Sequence, residues 1–423
     1  MSEREQALRE ALDGVRVGDE GAAEDRAWRV LAAAGAAGVD RPARRRRHRW
    51  RAAQVALVAA LIALVVSPAG ASVRHWVADR IEPGAPHAVP VLSSLPGDGS
   101  LLVDSARGPW VVHPDGSKRL LGDYTEASWS PHGLFAVVTS GHELAAVEPD
   151  GTPRWTLTRP GQVALARWNA PDGFRIAYLE GHDLRVVNGD GTGDRRIAGG
   201  AAAVAPAWRA GAGHELAYAT AGGAVIALAA DSGHRIFSTA PGLHAGPPLG
   251  VSTTSPRGGF ATSRSGGSTA SRSAVVTSLQ WTGPNLLVTR KSRVELFDGR
   301  GRPVWTWTPP PGSHLRSATA APGGDRVAVV TGDGRTSRVL LIAKARPSRV
   351  LFAGPGVFAA PRWSPEGRWL LLPWVSADQW LFLEPGSGSG KLHAVAHLAR
   401  QFSPGAPTAA RFPSVVGWCC TAR

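Results

Sequence analysis

A unit that returns about every 40 residues beyond residue 90 constrains this chain more than any other feature. Its first half is a Trp, a small residue, often a Pro, a Gly turn and an apolar run. It reads Trp129-Ser130-Pro131-His132-Gly133-LFAVV, then Trp168-Asn169-Ala170-Pro171-Asp172-Gly173-FRIAYL. It returns at Trp208, Trp281 and Trp363-Ser364-Pro365-Glu366-Gly367, and without the Trp at Ala320-Ala321-Pro322-Gly323-Gly324. Successive anchors fall 39, 40, 39 and 43 residues apart (129 to 168, 168 to 208, 281 to 320, 320 to 363). The second half is a strand, a turn and a strand, at 110–121, 144–157, 184–197, 225–237, 294–307, 339–351 and 381–395. Asp-Gly in several of these turns is a strong hairpin signal, because Gly accepts the positive φ required there.

A period of 40–45 residues with several short strands per unit is the mark of a propeller. Each blade exposes two apolar faces that only its neighbours can cover, so the ring must close. The expected fold class is all-β, a β-propeller over residues 92–423. Seven hairpins give seven blades; a misjudged end unit would make six or eight. The step from Trp208 to Trp281 is 73 residues, read as one blade plus a flexible insertion at 251–274, which is rich in Ser, Gly, Thr and Arg. Phe412–Cys420 resembles the strand that leads to the repeat Trp, and is expected to complete the first blade. Trp129, Trp168, Trp208, Trp281, Trp363, Pro131, Pro365, Gly133, Gly173 and Gly367 are read as structural, since one indole per blade at a fixed offset is packing.

The formal charge is +14, which raises nucleic acid as a partner. Half of the excess, however, lies in the run 41–51, with seven Arg and no acid. Directly after it, residues 52–73 hold 22 residues without a charge, long enough for a transmembrane helix. Arg44, Arg45, Arg46, Arg47, Arg49 and Arg51 then place residues 1–51 in the cytoplasm by the positive-inside rule. The propeller follows a linker at 74–91 and is expected outside the cytoplasm. A cleaved signal peptide is the competing reading, against which stands an N-region of 51 residues. Residues 1–40 look like short helices around Leu8, Leu12 and Trp28. They are either a stub that sets topology or a docking peptide for a cytoplasmic regulator.

The Trp-Ser-Pro-x-Gly pattern and the Asp-Gly hairpins resemble bacterial propellers of the TolB-like/WD-repeat type over about residues 92–418. The endings RWTLT and VWTWT also resemble pyrroloquinoline-quinone-type propeller repeats. The overall layout is similar to that of membrane-bound anti-sigma factors, without their zinc-binding His/Cys motif. The propeller resemblance implies a binding scaffold and no particular reaction.

No motif carries chemistry. There is no Gly-x-Ser-x-Gly elbow. Gly386–Lys391 lacks the Ser/Thr of a phosphate loop and reads as a hairpin turn. Asn188–Asp194 alternates oxygen ligands as calcium loops do, but it lacks the closing Glu and sits in hairpin register. The 13 His include no His-Glu-x-x-His motif. Adjacent Cys419 and Cys420 could bridge only through a strained ring, so no intrachain disulfide is expected, and pairing between chains stays open. The sequence thus predicts no catalytic residue, no cofactor and no metal.

Three functions remain in play. The first is a membrane-tethered module that binds a protein or other ligand. The second is a signalling protein whose propeller senses and whose N-terminal segment holds a regulator. The third is a quinoprotein-like or hydrolytic enzyme, which a carboxylate–Arg cluster lining the central channel would favour.

Overall fold

The apolar runs that follow the Gly turns form strands, and their near-continuous burial shows them covered on both faces. Ala136–Val138, Ile176–Tyr178 and Leu370–Leu372 are wholly buried, as expected of a sheet sandwiched between two others. The computed structural model describes residues 92–211, 213–239, 275–343, 348–386, 391–403 and 411–420. The expected cytoplasmic segment 1–51 with its arginines, the span 52–73, the linker 74–91 and the insertion 251–274 lie outside the described residues. Among the described residues no helix is long and apolar enough to cross a membrane.

Seven antiparallel four-stranded sheets make seven blades. Blade 1 holds β1 (Ser100–Ser105), β2 (Gly108–Val112) and β3 (Lys118–Leu120), with a fourth strand from the far end of the chain. Blade 2 is β4 (Glu126–Trp129), β5 (Ala136–Ser140), β6 (Glu143–Val147) and β7 (Pro153–Thr158). Blade 3 is β8 (Val163–Trp168), β9 (Arg175–Glu180), β10 (Asp183–Asn188) and β11 (Arg195–Ala198). Blade 4 is β12 (Ala207–Trp208), β13 (Glu215–Ala219), β14 (Val225–Ala229) and β15 (Arg235–Ser238). Blade 5 is β16 (Val276–Thr282), β17 (Asn285–Arg290), β18 (Val294–Phe297) and β19 (Pro303–Trp307). Blade 6 is β20 (His314–Ala320), β21 (Arg326–Gly332), β22 (Thr336–Ala343) and β23 (Arg349–Pro355). Blade 7 is β24 (Arg362–Trp363), β25 (Leu370–Trp374), β26 (Gln379–Leu383) and β27 (Leu392–Ala396), followed by a short helix α1 (Leu398–Phe402). The last strand, β28 (Ser414–Cys419), pairs with β1, Leu101 opposite Trp418. The innermost strands β28, β4, β8, β12, β16, β20 and β24 each touch the next, and β24 touches β28 again. The ring is closed, and each hairpin read from the sequence is the outer pair of one blade.

The small residue after the repeat Trp has a definite task. Ser130 Oγ accepts the Phe135 N–H (3.0 Å), Asn169 Oδ1 that of Arg175 (2.8 Å) and Ser364 Oγ that of Trp369 (2.9 Å). These bonds pin the turn, while the Gly residues adopt positive φ, +67° at Gly133 and +70° at Gly367. Neighbouring turns also interlock: a Cβ on Gly173 would lie 3.5 Å from Pro131 Cδ, and one on Gly367 3.4 Å from Pro322 Cδ. Ser364 is fully buried. Ser364→Ala is expected to cost about 1–3 kcal/mol, the penalty of a buried donor left unsatisfied; the urea midpoint at constant slope measures it.

The copy in blade 1 is assembled from two distant segments. Trp418-Cys419-Cys420 stands where other blades carry Trp-Ser-Pro, and Pro96–Gly99 supplies the Gly turn. Trp418 Nε1 donates to the Asp98 carbonyl (2.8 Å), as Trp168 Nε1 donates to that of Gly173 (2.6 Å). Gly99 (φ +86°) cannot carry a side chain, since a Cβ would come 2.3 Å from the Cys419 carbonyl oxygen. Contrary to expectation, Cys419 and Cys420 form a disulfide. In a regular strand adjacent side chains point to opposite faces, but the chain leaves β28 at Cys420 with φ +88°, which brings both sulfurs to one side. There they approach the carbonyls of Ser130 and Pro131 in blade 2.

Candidate functional site

Two places on the ring depart from the repeat. One is the axis, where five charged side chains gather: Asp104 on β1, Glu126 on β4, Arg167 on β8, Arg362 on β24 and Arg411 just before β28. Asp104 is flanked electrostatically by the other four, and the charges of Arg167 and Arg362 repel one another. Blades 3 and 7 are not neighbours in the ring, so this repulsion acts across the axis. Arg167 and Arg362 each immediately precede the repeat Trp, a position held elsewhere by Ser128, Ala207, Gln280 and Gly417.

The backbone of β8 is bent to serve this cluster. Its pairing slips between Ala164 and Arg167, and Leu165 adopts φ +57°. A bulky residue in that region is uncommon and needs support; Glu126 Oε2 accepts the Leu165 N–H at 2.7 Å. Bulges of this kind re-aim side chains, here that of Arg167. Its Nη1 donates to the Ala166 carbonyl (2.7 Å), while Arg362 Nη1 donates to that of Pro361 (3.3 Å). Buried Asp104 Oδ1 and Arg362 Nε have no hydrogen-bond partner. Among the described residues none of the five forms an ion pair with another.

Burial, aided by the Glu126 charge, pushes the Asp104 carboxyl up to about 7 against the pull of the three Arg. Burial and then Arg167 push Arg362 down to about 10, opposed by Asp104, which leaves it charged at neutral pH. For Asp104 the folded value lies above the unfolded one. The folded state therefore holds the extra proton between about pH 4 and 7, and stability is lost as pH rises through that window. Asp104→Asn is expected to match the native chain near pH 4 and to exceed it at pH 8, by up to about 4 kcal/mol for a shift near three units. Urea unfolding of both proteins at the two pH values measures the difference.

The second place is a notch between blades 2 and 3, a cavity of about 480 Å³ lined by Pro131, Leu134, Phe135, Trp168 and Phe174 among others. Leu134 and Phe174 are 64% and 62% exposed. Each directly follows the turn Gly of its blade, where other copies carry Ser100, His214, Pro284, Asp325 and Arg368. The Phe135 and Trp168 rings stack beneath at 6.2 Å. On the far side His214 bridges Asp172 (Nε2 to Oδ2, 3.3 Å) and Asp231, which also takes Arg175 (2.9 Å). Burial alone would raise Asp172, yet hydrogen bonds from the Phe174 N–H, Asn169 and His214 hold it below the usual carboxylate range.

The repeat residues occupy these surroundings unevenly. Trp363 is buried, whereas Trp129, Trp168, Trp208 and Trp281 are half-buried. Trp208 Nε1 donates to the Arg167 carbonyl in blade 3 (2.8 Å) and Trp363 Nε1 to the Thr319 carbonyl in blade 6 (3.2 Å), so the indoles also tie neighbouring blades. In the calcium-like stretch, Asp190 Oδ1 accepts the Thr192 N–H (3.0 Å) and hydroxyl (2.7 Å), closing the turn. Asp194 binds Arg185, Arg159 and the Tyr178 hydroxyl. Among the described residues no group of His, Cys, Asp and Glu is arranged to hold a metal ion. Gly386–Lys391 joins antiparallel neighbours β26 and β27; a phosphate loop would lead into a helix.

No family model and no curated protein matches this chain. Among solved structures it is similar to the β-propeller domain of Cps50 (Swd1) from Myceliophteria thermophila, at 12% identity over 64% of this chain and 85% of that one, with a TM-score of 0.46. It is similar to the Mitotic Checkpoint Complex at 16% identity, over 74% and 86% of the two chains, TM-score 0.47. Hydrazine synthase from Kuenenia stuttgartiensis matches at 15% identity over 61% and 75%, TM-score 0.42. The assignment to seven blades rests on the strand topology above.

Proposed function

We propose that this propeller is a protein-binding module, tethered to a membrane by residues 52–73 and working outside the cytoplasm. The observation that carries the binding role is the pair of exposed apolar side chains, Leu134 and Phe174, at equivalent positions of adjacent blades. A rigid notch rimmed by two apolar residues over a stacked aromatic pair suits an aliphatic or aromatic anchor of a partner chain. The polar rim, with Asp172, Arg175 and Asp190, would set orientation more than affinity. The tether reading rests on the uncharged segment and the Arg run before it.

The test is capture of partners by the full chain from its native membranes, set against a Leu134→Asp/Phe174→Asp variant. The variant is expected to fold with an unchanged melting midpoint, because both side chains are exposed, and to lose its specific partner. Recovery of the same partner in equal yield would overturn the reading.

A further inference from the structure

We propose that the propeller binds a small oxyanion, a carboxylate or phosphate group, on its axis between Arg167 and Arg362. This site is separate from the notch and does not depend on the role given to it.

The argument starts from charge. Asp104 in blade 1 lies in the fields of Glu126, Arg167, Arg362 and Arg411, and Arg362 in that of Arg167, yet none of the five pairs directly with another. In structural ion networks such groups close onto each other, as Arg159, Arg185 and Asp194 do in blade 3, at 2.8 and 2.5 Å. On the axis Arg167 and Arg362 each donate instead to the carbonyl of the preceding residue, which orients the guanidinium and leaves other donors aimed elsewhere. Arg362 Nε is a buried donor without an acceptor, a costly state in an isolated protein. An oxyanion between two forks supplies acceptors to both and screens their repulsion. Asp104 adds a carboxyl whose Oδ1 is unpartnered; protonated, it donates to the anion, and ionised, it repels it. The β8 bulge gives independent support, since a strained Leu165 held by Glu126 fixes where Arg167 points.

Chemistry limits the ligand to a compact anion with at least two oxygens that can meet two Arg forks. A free dianion and the terminal carboxylate of a peptide share that chemistry. The experiment is calorimetric titration of the full chain in a non-ionic detergent with inorganic phosphate, with succinate, and with tetra-alanine in its free-acid and amide forms. Binding of phosphate or succinate assigns a free dianion. Binding of the free-acid peptide alone assigns a chain terminus. Arg167→Gln and Arg362→Gln are each expected to weaken binding by about tenfold or more, the loss of one charge-assisted contact. Affinity in the native chain should fall between about pH 6 and 8, and Asp104→Asn should abolish that fall, an outcome that a purely structural role would not produce. The Leu134→Asp/Phe174→Asp variant should bind the anion as the native chain does, which separates this site from the notch. Failure of every probe to bind, or equal binding by the Gln variants, would overturn the proposal. An Asp104→Asn profile that still falls with pH would do the same.

Discussion

Deleting residues 411–423 should abolish cooperative folding of the propeller, the largest single effect expected anywhere in the chain. The deletion takes away β28, which is the innermost strand of blade 1 and touches both β24 and β4. Leu101, Leu102 and Val103 lose one of their two partner strands, and the cluster around Trp380, Phe382 and Phe402 loses Val415 and Trp418. Each large apolar side chain withdrawn uncovers surface worth about 1.5–3 kcal/mol. Total stability of a domain is about 5–15 kcal/mol, so the loss of a strand and two such residues takes a large share of it. The deletion would also leave β1 as an unpaired inner edge of its sheet. Tryptophan fluorescence in urea is the measurement. A single transition with the native midpoint in the shortened chain would show that the ring does not need its last strand.

The second large effect is expected at Glu295. Its carboxylate takes Nε of Arg290 at 2.6 Å and Nε of Arg293 at 2.6 Å, and the Arg290 side chain is 1% exposed. Arg290 also donates to the Gly223 carbonyl (2.8 Å), stitching blade 5 to blade 4. Glu295→Ala removes the carboxylate that meets this buried guanidinium, and about 3–5 kcal/mol should be lost. The double change Arg290→Met/Glu295→Met removes the charge as well and should recover much of that loss, since apolar replacements of buried pairs are often close to neutral. If the single variant unfolds at the native urea midpoint, water or another carboxylate is meeting the charge.

The fold was legible in the chain because each blade repeats the same short instructions: Trp and a small polar residue, a Gly turn, an apolar strand, a hairpin. Those signals act over a few residues, so reading them needs no knowledge of the ring. The axial cluster was hidden for the opposite reason. Asp104, Glu126, Arg167, Arg362 and Arg411 span most of the propeller in sequence and meet only once seven blades have closed. One trace was nevertheless present: Arg167 and Arg362 sit just before the repeat Trp, where uncharged residues are the rule. Leu134 and Phe174 were hidden by the apolar strands that directly follow them. In LFAVV and FRIAYL they continue an apolar run, and only the turn geometry shows that the first residue of each faces outward. The bridge between Cys419 and Cys420 ran against the alternation of strand side chains, which the positive φ at Cys420 suspends.

The two-part turn of blade 1 also has a consequence in time. Pro96–Gly99 and β1 emerge early during synthesis, but the strand that completes their sheet is about 300 residues further on. At translation speeds of roughly 5–20 residues per second, the first blade must wait on the order of 15–60 s for its missing strand. Throughout that interval the nascent chain carries a half-built blade, and whatever guards it from other sheet edges helps to decide how much of the protein is ever made whole.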